Sequence, residues 1–141
     1  MVLKVFQIEP QKSNKTFTDV KDGEWYCDVI ATACEIGIVN GYPDGRFGIG
    51  EKVSRADMAV MVGRTLDIMK KDLPIKNAVY IFTDYLDIPD YAYNDVVKLQ
   101  QFGLVQGDGY RNFNPANNLT RAESATVLWS VFREISGNIF N

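Results

Sequence analysis

One stretch of this chain occurs twice, and the second copy follows the first in strict register. The first copy runs from Gly37 to Phe47 and is closed by Ser54-Arg55-Ala56-Asp57. The second runs from Gly103 to Phe113 and is closed by Thr120-Arg121-Ala122-Glu123. Gly37 and Gly103, Phe47 and Phe113, and Arg55 and Arg121 are each 66 residues apart. An ungapped match over that distance marks a duplicated structural unit, which any fold for the chain must accommodate.

Each copy reads as helix, glycine-rich loop, capped helix. In the first, Phe17-Thr18-Asp19-Val20 opens the unit, and Asp22 is placed to cap a helix. Trp25, Val29, Ala33 and Ile36 then recur at helical spacing, and Gly37 follows where a left-handed residue ends a helix. Gly41 to Gly45 concentrates turn residues. Ser54 and Asp57 fit a capping box for a second helix, with Ala56, Ala59, Val60, Gly63 and Leu66 on one face and Lys70-Lys71 at its end. Phe82 to Asp84 restarts the unit at an offset of 65, so one residue is inserted before the next helix. There Ala92, Val96, Leu99 and Phe102 face inward, and Tyr91 takes the position of Trp25. The last helix carries Ala122, Ala125, Leu128, Trp129 and Phe132 and ends at Ser136-Gly137-Asn138. The spacing predicts helices at about residues 22–36, 55–70, 91–102 and 121–135. A short strand is expected over 2–8, with a polar linker to residue 16 and a briefly extended segment at 79–81. The domain reading is an N-terminal extension or linker at 1–16, a first repeat at 17–71, a connector at 72–81, a second repeat at 82–136 and a tail at 137–141.

Composition narrows the function. The formal net charge of −3 argues against bulk attraction to nucleic acid or anionic lipid. No apolar run reaches the roughly 20 residues of a membrane span. The first ten residues lack the pattern of a signal peptide, so the sequence is expected to be cytosolic or a piece of a longer chain. Cys27 and Cys34 sit about 10 Å apart on one helix, too far for a disulfide, and read as small apolar residues. With two cysteines and no histidine, neither zinc nor any other metal or cofactor is expected.

These residues resemble the S-layer homology (SLH) module, a repeat that anchors bacterial proteins to the cell envelope. The family pattern combines an F-x-D-V opening, a helix starting near Trp, a glycine-bounded apolar segment, a D-G-x-F-x-P turn and a T-R-A-E helix start. The first repeat supplies Phe17, Asp19, Val20, Trp25, Gly37, Gly41, Asp44, Gly45, Phe47 and its Ser-Arg-Ala-Asp box. The second supplies Phe82, Asp84, Tyr91, Gly103, Gly107, Phe113, Pro115 and its Thr-Arg-Ala-Glu box. Together they cover about residues 17–135. The sequence departs at Tyr85 and Tyr91, at Gly48-Ile49-Gly50, and in the rearranged turn at Asp108. The resemblance implies a mainly α fold, with tandem helix–loop–helix repeats packed as part of a pseudo-threefold helical spindle. It also implies a secreted, non-catalytic module at the cell wall that binds an acidic, pyruvylated secondary cell-wall polysaccharide. Such regions typically carry three repeats, so the apolar faces at Val29, Ala33 and Ile36 and at Val96, Leu99 and Phe102 are expected to be covered by the flanking segments 1–16 and 136–141, by a missing third repeat, or by a homodimer, the last being the preferred expectation.

On that resemblance the ligand-binding candidates are Arg55, Arg121, Trp25, Tyr91, Gly41, Gly107, Asp44, Asp19 and Asp84. A guanidinium just inside a helix N-terminus suits a carboxylate, although each Arg can equally pack over its loop or pair with an aspartate. Trp25 and Tyr91 can stack on a sugar or belong to the core. Asp19 and Asp84 suit the organisation of a turn. Gly41 and Gly107 permit a positive φ or a close backbone approach, and Phe47 and Phe113 read as loop anchors. A calcium loop fails on ligand spacing, because Arg46, Gly48 and Tyr110 fall where oxygen ligands are needed. The absence of histidine removes His-based triads, and the carboxylates fall in caps and turns. The alternative to glycan binding is a protein-interaction or assembly module on the same fold.

Overall fold

A computed structural model describes residues 7–12 and 16–137, with the side chains of residues 121, 122, 136 and 137 outside that description. Four α-helices are present among the described residues: α1 (Cys27–Glu35), α2 (Arg55–Ile68), α3 (Asp90–Gln101) and α4 (Arg121–Gly137). A 3₁₀ turn at Tyr85–Asp87 accommodates the residue inserted before α3. The structure is mainly helical, as the repeat pattern requires. Among the described residues the sole β-type pairing is one antiparallel bridge between Ser54 and Asn118. Residues 79–81 form no strand; Val79 and Ile81 are exposed, with no neighbouring strand to receive their alternation. The strand expected at 2–8 falls largely outside the described residues, and Gln7 sits in a turn.

The helix ends are built as the sequence indicates. After α1, the Gly37 amide donates to the Cys34 carbonyl at 3.2 Å and the Ile38 amide to Ala33 at 2.9 Å. After α3, Gly103 and Leu104 repeat the pair on Gln100 and Leu99 at 3.0 and 2.9 Å. This six-to-one and five-to-two closure needs a left-handed residue, which Gly37 and Gly103 supply at φ of 85° and 72°. It also buries Ile38 and Leu104. At α2 the same closure is made with Lys70 left-handed, at φ of 51°. The Lys70 amide thus satisfies a helix carbonyl directly, in addition to any favourable effect of its charge.

The first helix is shorter than its sequence pattern. Asp22 does not cap it, because Gly23 at φ of 83° takes the chain out of helical geometry and α1 begins only at Cys27. Trp25 therefore leaves the apolar stripe and stands 82% exposed. The buried face of the last helix only partly matches the expected one, sharing Leu128 and the half-buried Phe132. Leu128, Val131 and Ile135 are buried, whereas Ala125 and Trp129 are exposed, and the side chain of Ala122 lies outside the described residues.

The chain divides into two compact units, 1–51 and 52–141. Repeat and unit are therefore out of phase: α2 belongs to the first repeat in sequence and to the second unit in space. Within the second unit, α2 and α3 pack together. Ala92, Val96 and Leu99 of α3 and Val62 and Leu66 of α2 are fully buried. Gly63 makes the approach possible, since a Cβ there would lie 2.1 Å from the Asp95 carboxylate. The face at Val96 and Leu99, expected to need a partner, is thus covered within the chain. Ala33 is buried as well, and Val29, Ile36 and Phe102 are half-buried. Neither cysteine forms a disulfide; Cys34 is buried, and the half-buried Cys27 donates its thiol to the Lys21 carbonyl at 2.7 Å.

Candidate functional site

Each unit holds one glycine-rich loop, and the two loops are closed by the same pair of backbone bonds. In the first, the Tyr42 amide donates to the Arg46 carbonyl at 2.7 Å and Gly45 to Tyr42 at 3.1 Å. In the second, Asp108 donates to Asn112 at 3.0 Å and Arg111 to Asp108 at 2.9 Å. The opening aspartates hold these loops from outside. Asp19 accepts the amides of Phe47 and Gly48 at 2.7 Å and of Ile49 at 2.9 Å. Asp84 accepts those of Phe113 and Asn114, both at 2.7 Å. The Phe47 amide bond, together with the bonds from Ile49 and Gly48, draws the Asp19 carboxyl down to about 2 despite partial desolvation. The aspartates therefore organise the turn at the far end of the repeat, where the sequence suggested a turn beside their own helix.

The turn carboxylates differ between the copies. Asp44 accepts the Arg46 amide and Nε at 3.0 and 2.8 Å, and the bond from the Arg46 side chain is the main reason its carboxyl is lowered. In the second loop Asp108 takes this part. It accepts the amides of Tyr110 and Asn112 and the side-chain amide of Asn114, and its carboxyl falls to about 2, chiefly through the Asn112 amide. The sequence signal that could have found Asp108 is the Asp108-Gly109 dipeptide, which favours a turn whose carboxylate accepts the amide two residues on. The glycine candidates divide the two roles between them. Gly41 has φ of 68°, and a Cβ there would meet Phe17 at 2.6 Å. Gly107 lets the Arg111 backbone approach to 3.1 Å of its would-be Cβ. Phe113 is fully buried against Phe82, and Phe47 is half-buried edge-on to Phe17.

Arg55 sits where α2 meets the second loop. Ser54 caps the helix, its Oγ accepting the Asp57 amide at 3.0 Å and donating to Asp57 Oδ2 at 2.6 Å. The Asp57 side chain is a methylene shorter than the usual Glu, so it bonds the Ser54 hydroxyl, not the backbone amide. Thr120 and Glu123 make the complete reciprocal box, with amide bonds of 2.9 and 3.1 Å. The Arg55 amide donates to Asn117 at 2.9 Å and the Ala56 amide to Pro115 at 3.1 Å. The Arg55 guanidinium then donates from Nε to the Phe113 carbonyl at 2.8 Å and from Nη2 to Gln106 at 3.3 Å. It lies 5.1 Å from the centre of the Phe113 ring.

Beside it opens a groove of about 440 Å³, lined by Arg55, by Gly103 to Gln106, and by Glu123, Thr126, Val127 and Ser130 of α4. Glu123 is lowered mainly by the Thr120 amide and hydroxyl, with a smaller contribution from Arg55. Tyr91 is outside this lining; it is 59% exposed and donates its hydroxyl to Asp57 at 2.8 Å. Trp25 belongs to the first unit, in a cleft of about 730 Å³ with Lys12, Glu24, Asp28 and Glu35. The side chain of Arg121 lies outside the described residues. The structure thus joins Arg55 with the Gly107 loop and Asp84 in one unit, and Asp19, Gly41 and Asp44 in the other.

The S-layer homology domain model matches residues 16–59 and 81–125, the two copies in their order. The chain belongs to the S-layer homology family and is a cell-surface module. Among its relatives are an amylopullulanase of Thermoanaerobacterium thermosulfurigenes, 31% identical over 99% of this chain and 7% of that protein, and S-layer protein EA1 of Bacillus anthracis, 33% identical over 85% of this chain and 13% of that protein. A cellulosome-anchoring protein of Acetivibrio thermocellus is 29% identical over 84% of this chain and 26% of that protein. The chain therefore spans a minor part of the length of each. No helix among the described residues is long and apolar enough to cross a membrane.

Proposed function

We propose that this module anchors its protein to the cell wall without catalysis, by binding an acidic, pyruvylated secondary cell-wall polysaccharide in the groove beside Arg55. The observation that carries this reading is the fixed guanidinium at the groove's edge. Two loop carbonyls and the Phe113 ring hold it, so little conformational entropy remains to be lost when a carboxylate arrives. Thr126 and Ser130 add hydroxyls along the same groove. Trp25, being exposed, is accessible for stacking on a neutral sugar ring. The relatives named for S-layers and for cellulosome anchoring support the same class of function.

Retention on purified sacculi tests the proposal, measured before and after removal of the wall polysaccharide. Binding that disappears with the polysaccharide supports it; binding that survives removal refutes it. A second reading, a protein-assembly module, draws on the exposed Trp129, whose ring lies against Phe132 with centroids 5.8 Å apart. That reading expects retention to be indifferent to polysaccharide and sensitive to Trp129→Ala.

A further inference from the structure

The two loops share a backbone and each carries one aspartate and one arginine, but they differ in how the arginine is held, and the difference centres on Arg111. Its counterpart by the 66-residue offset is Gly45. Both positions are left-handed, with φ of 64° at Arg111 and 85° at Gly45. Glycine occupies that region without steric cost, whereas a side chain bearing a Cβ does not. The first loop therefore shows that the turn is built more easily with glycine, and the second keeps an arginine there. Left-handed Lys70 closes a helix; Arg111 closes none, so the interest of its disfavoured backbone lies in what its side chain meets.

The surroundings of that side chain suggest what the use is. The Arg111 guanidinium lies 5.0 Å from the centre of the Tyr80 ring. The Tyr80 hydroxyl in turn accepts the Gly107 amide at 3.3 Å, next to Gln106 of the groove lining. Among the described residues no carboxylate forms an ion pair with Arg111. The first loop's arginine is the opposite case: Arg46 pairs with Asp44 and Glu51, both at 2.8 Å. Among the described residues, the first unit's cleft is lined by Glu24, Asp28 and Glu35 together with Lys12. Around the second loop Arg55 and Arg111 stand with Asp84, Asp108 and Glu123, but Asp84 and Asp108 are turned onto loop amides and Glu123 onto the Thr120 cap, so the guanidiniums are the charged groups left to meet an anion.

Resting on the proposed anchoring function, we infer that the two repeats are not equivalent: the second unit alone holds the acidic ligand, and Arg111 is a second cationic contact beside Arg55. The aromatic support from Tyr80 presents the guanidinium in place, and the fork suits a carboxylate or its neighbouring hydroxyls.

The test is Arg111→Gly, which removes the cation and relieves the backbone together. Sacculi carrying the polysaccharide are the probe, with Arg46→Ala as control and thermal melting run on each protein. Arg111→Gly is expected to weaken retention on the order of tenfold, the size of a charge-assisted contact, while the melting temperature does not fall. Arg46→Ala is expected to stay within twofold of the parent. Retention of Arg111→Gly at the parent level overturns the inference and leaves the anchoring proposal standing; so does a loss in Arg46→Ala equal to that in Arg111→Gly. A parent protein that does not bind the sacculi at all removes both.

Discussion

Arg55 donates to the carbonyl of Phe113, 58 residues further along the chain. A residue from the helix start of one repeat thus fastens the loop of the other. That loop depends on α2 for its outer support, through the guanidinium and through the two amides that donate to Asn117 and Pro115.

Replacing Arg55 by alanine should therefore destabilise the second unit as well as weaken any ligand contact. Two bonds from a charged donor are lost, and the expected cost is about 1–3 kcal/mol. Urea unfolding, compared with a lysine variant that keeps charge but not the fork, measures it. Equal stability of the alanine variant and the parent excludes the latch.

The loop aspartates set a pH dependence. Asp19 and Asp108 are lowered in the folded chain from 3.8 to about 2. A carboxyl lowered on folding contributes stability that is present above its unfolded value and is lost as pH falls through its folded value. Both contributions are expected in full at pH 5 and to fade between about pH 4 and 2. Asp19→Asn should melt lower than the parent at pH 5 and converge with it near pH 2. A gap that does not narrow on acidification argues against the ionised carboxylate as the source.

Gly63 and Asp95 form a tight contact between α2 and α3. Gly63→Ala is expected to cost about 1–3 kcal/mol by overpacking. In an Asp95→Ala background the cost should shrink, because the atoms at 2.1 and 2.6 Å from the added Cβ are gone. A double-mutant cycle without coupling rules out this contact as the reason for the glycine.

Ser54 caps α2 through the Asp57 amide. Ser54→Ala should cost about 1 kcal/mol in chemical denaturation. A threonine at that position is expected to restore most of it, since its hydroxyl can both accept the Asp57 amide and donate to the Asp57 carboxylate.

Local chemistry made much of this fold legible. The Ser54 and Thr120 boxes fixed the starts of α2 and α4, and Gly37 and Gly103 fixed the ends of α1 and α3. The start of α1 was obscured because Asp22 is a good cap by type, while the Asp22-Gly23 dipeptide is equally a turn signal, and only the structure shows that the turn prevails. On α4, Leu128 and Trp129 are consecutive and so lie about 100° apart around the helix, and an apolar stripe wide enough to include both does not decide which one the core accepts. Asp19 and Asp84 were recognisable as turn-organising residues, but their amide partners lie 28 to 30 residues away. Arg111 was concealed by the rearranged turn. Aligning it on Gly45 reveals it only once the left-handed backbone is known.

The mismatch between repeat and compact unit bears on recombination. A gene segment ending at residue 71 carries α2 away from α3, and a segment beginning at residue 82 leaves the Phe113 loop without its arginine. Exchange of intact pieces between such modules is better served by a crossover near Glu51 and Lys52, where the compact units divide. The sequence records the duplication in one frame, while the folded chain is cohesive in another. A chimera joined in the second frame inherits its loop and its latch together.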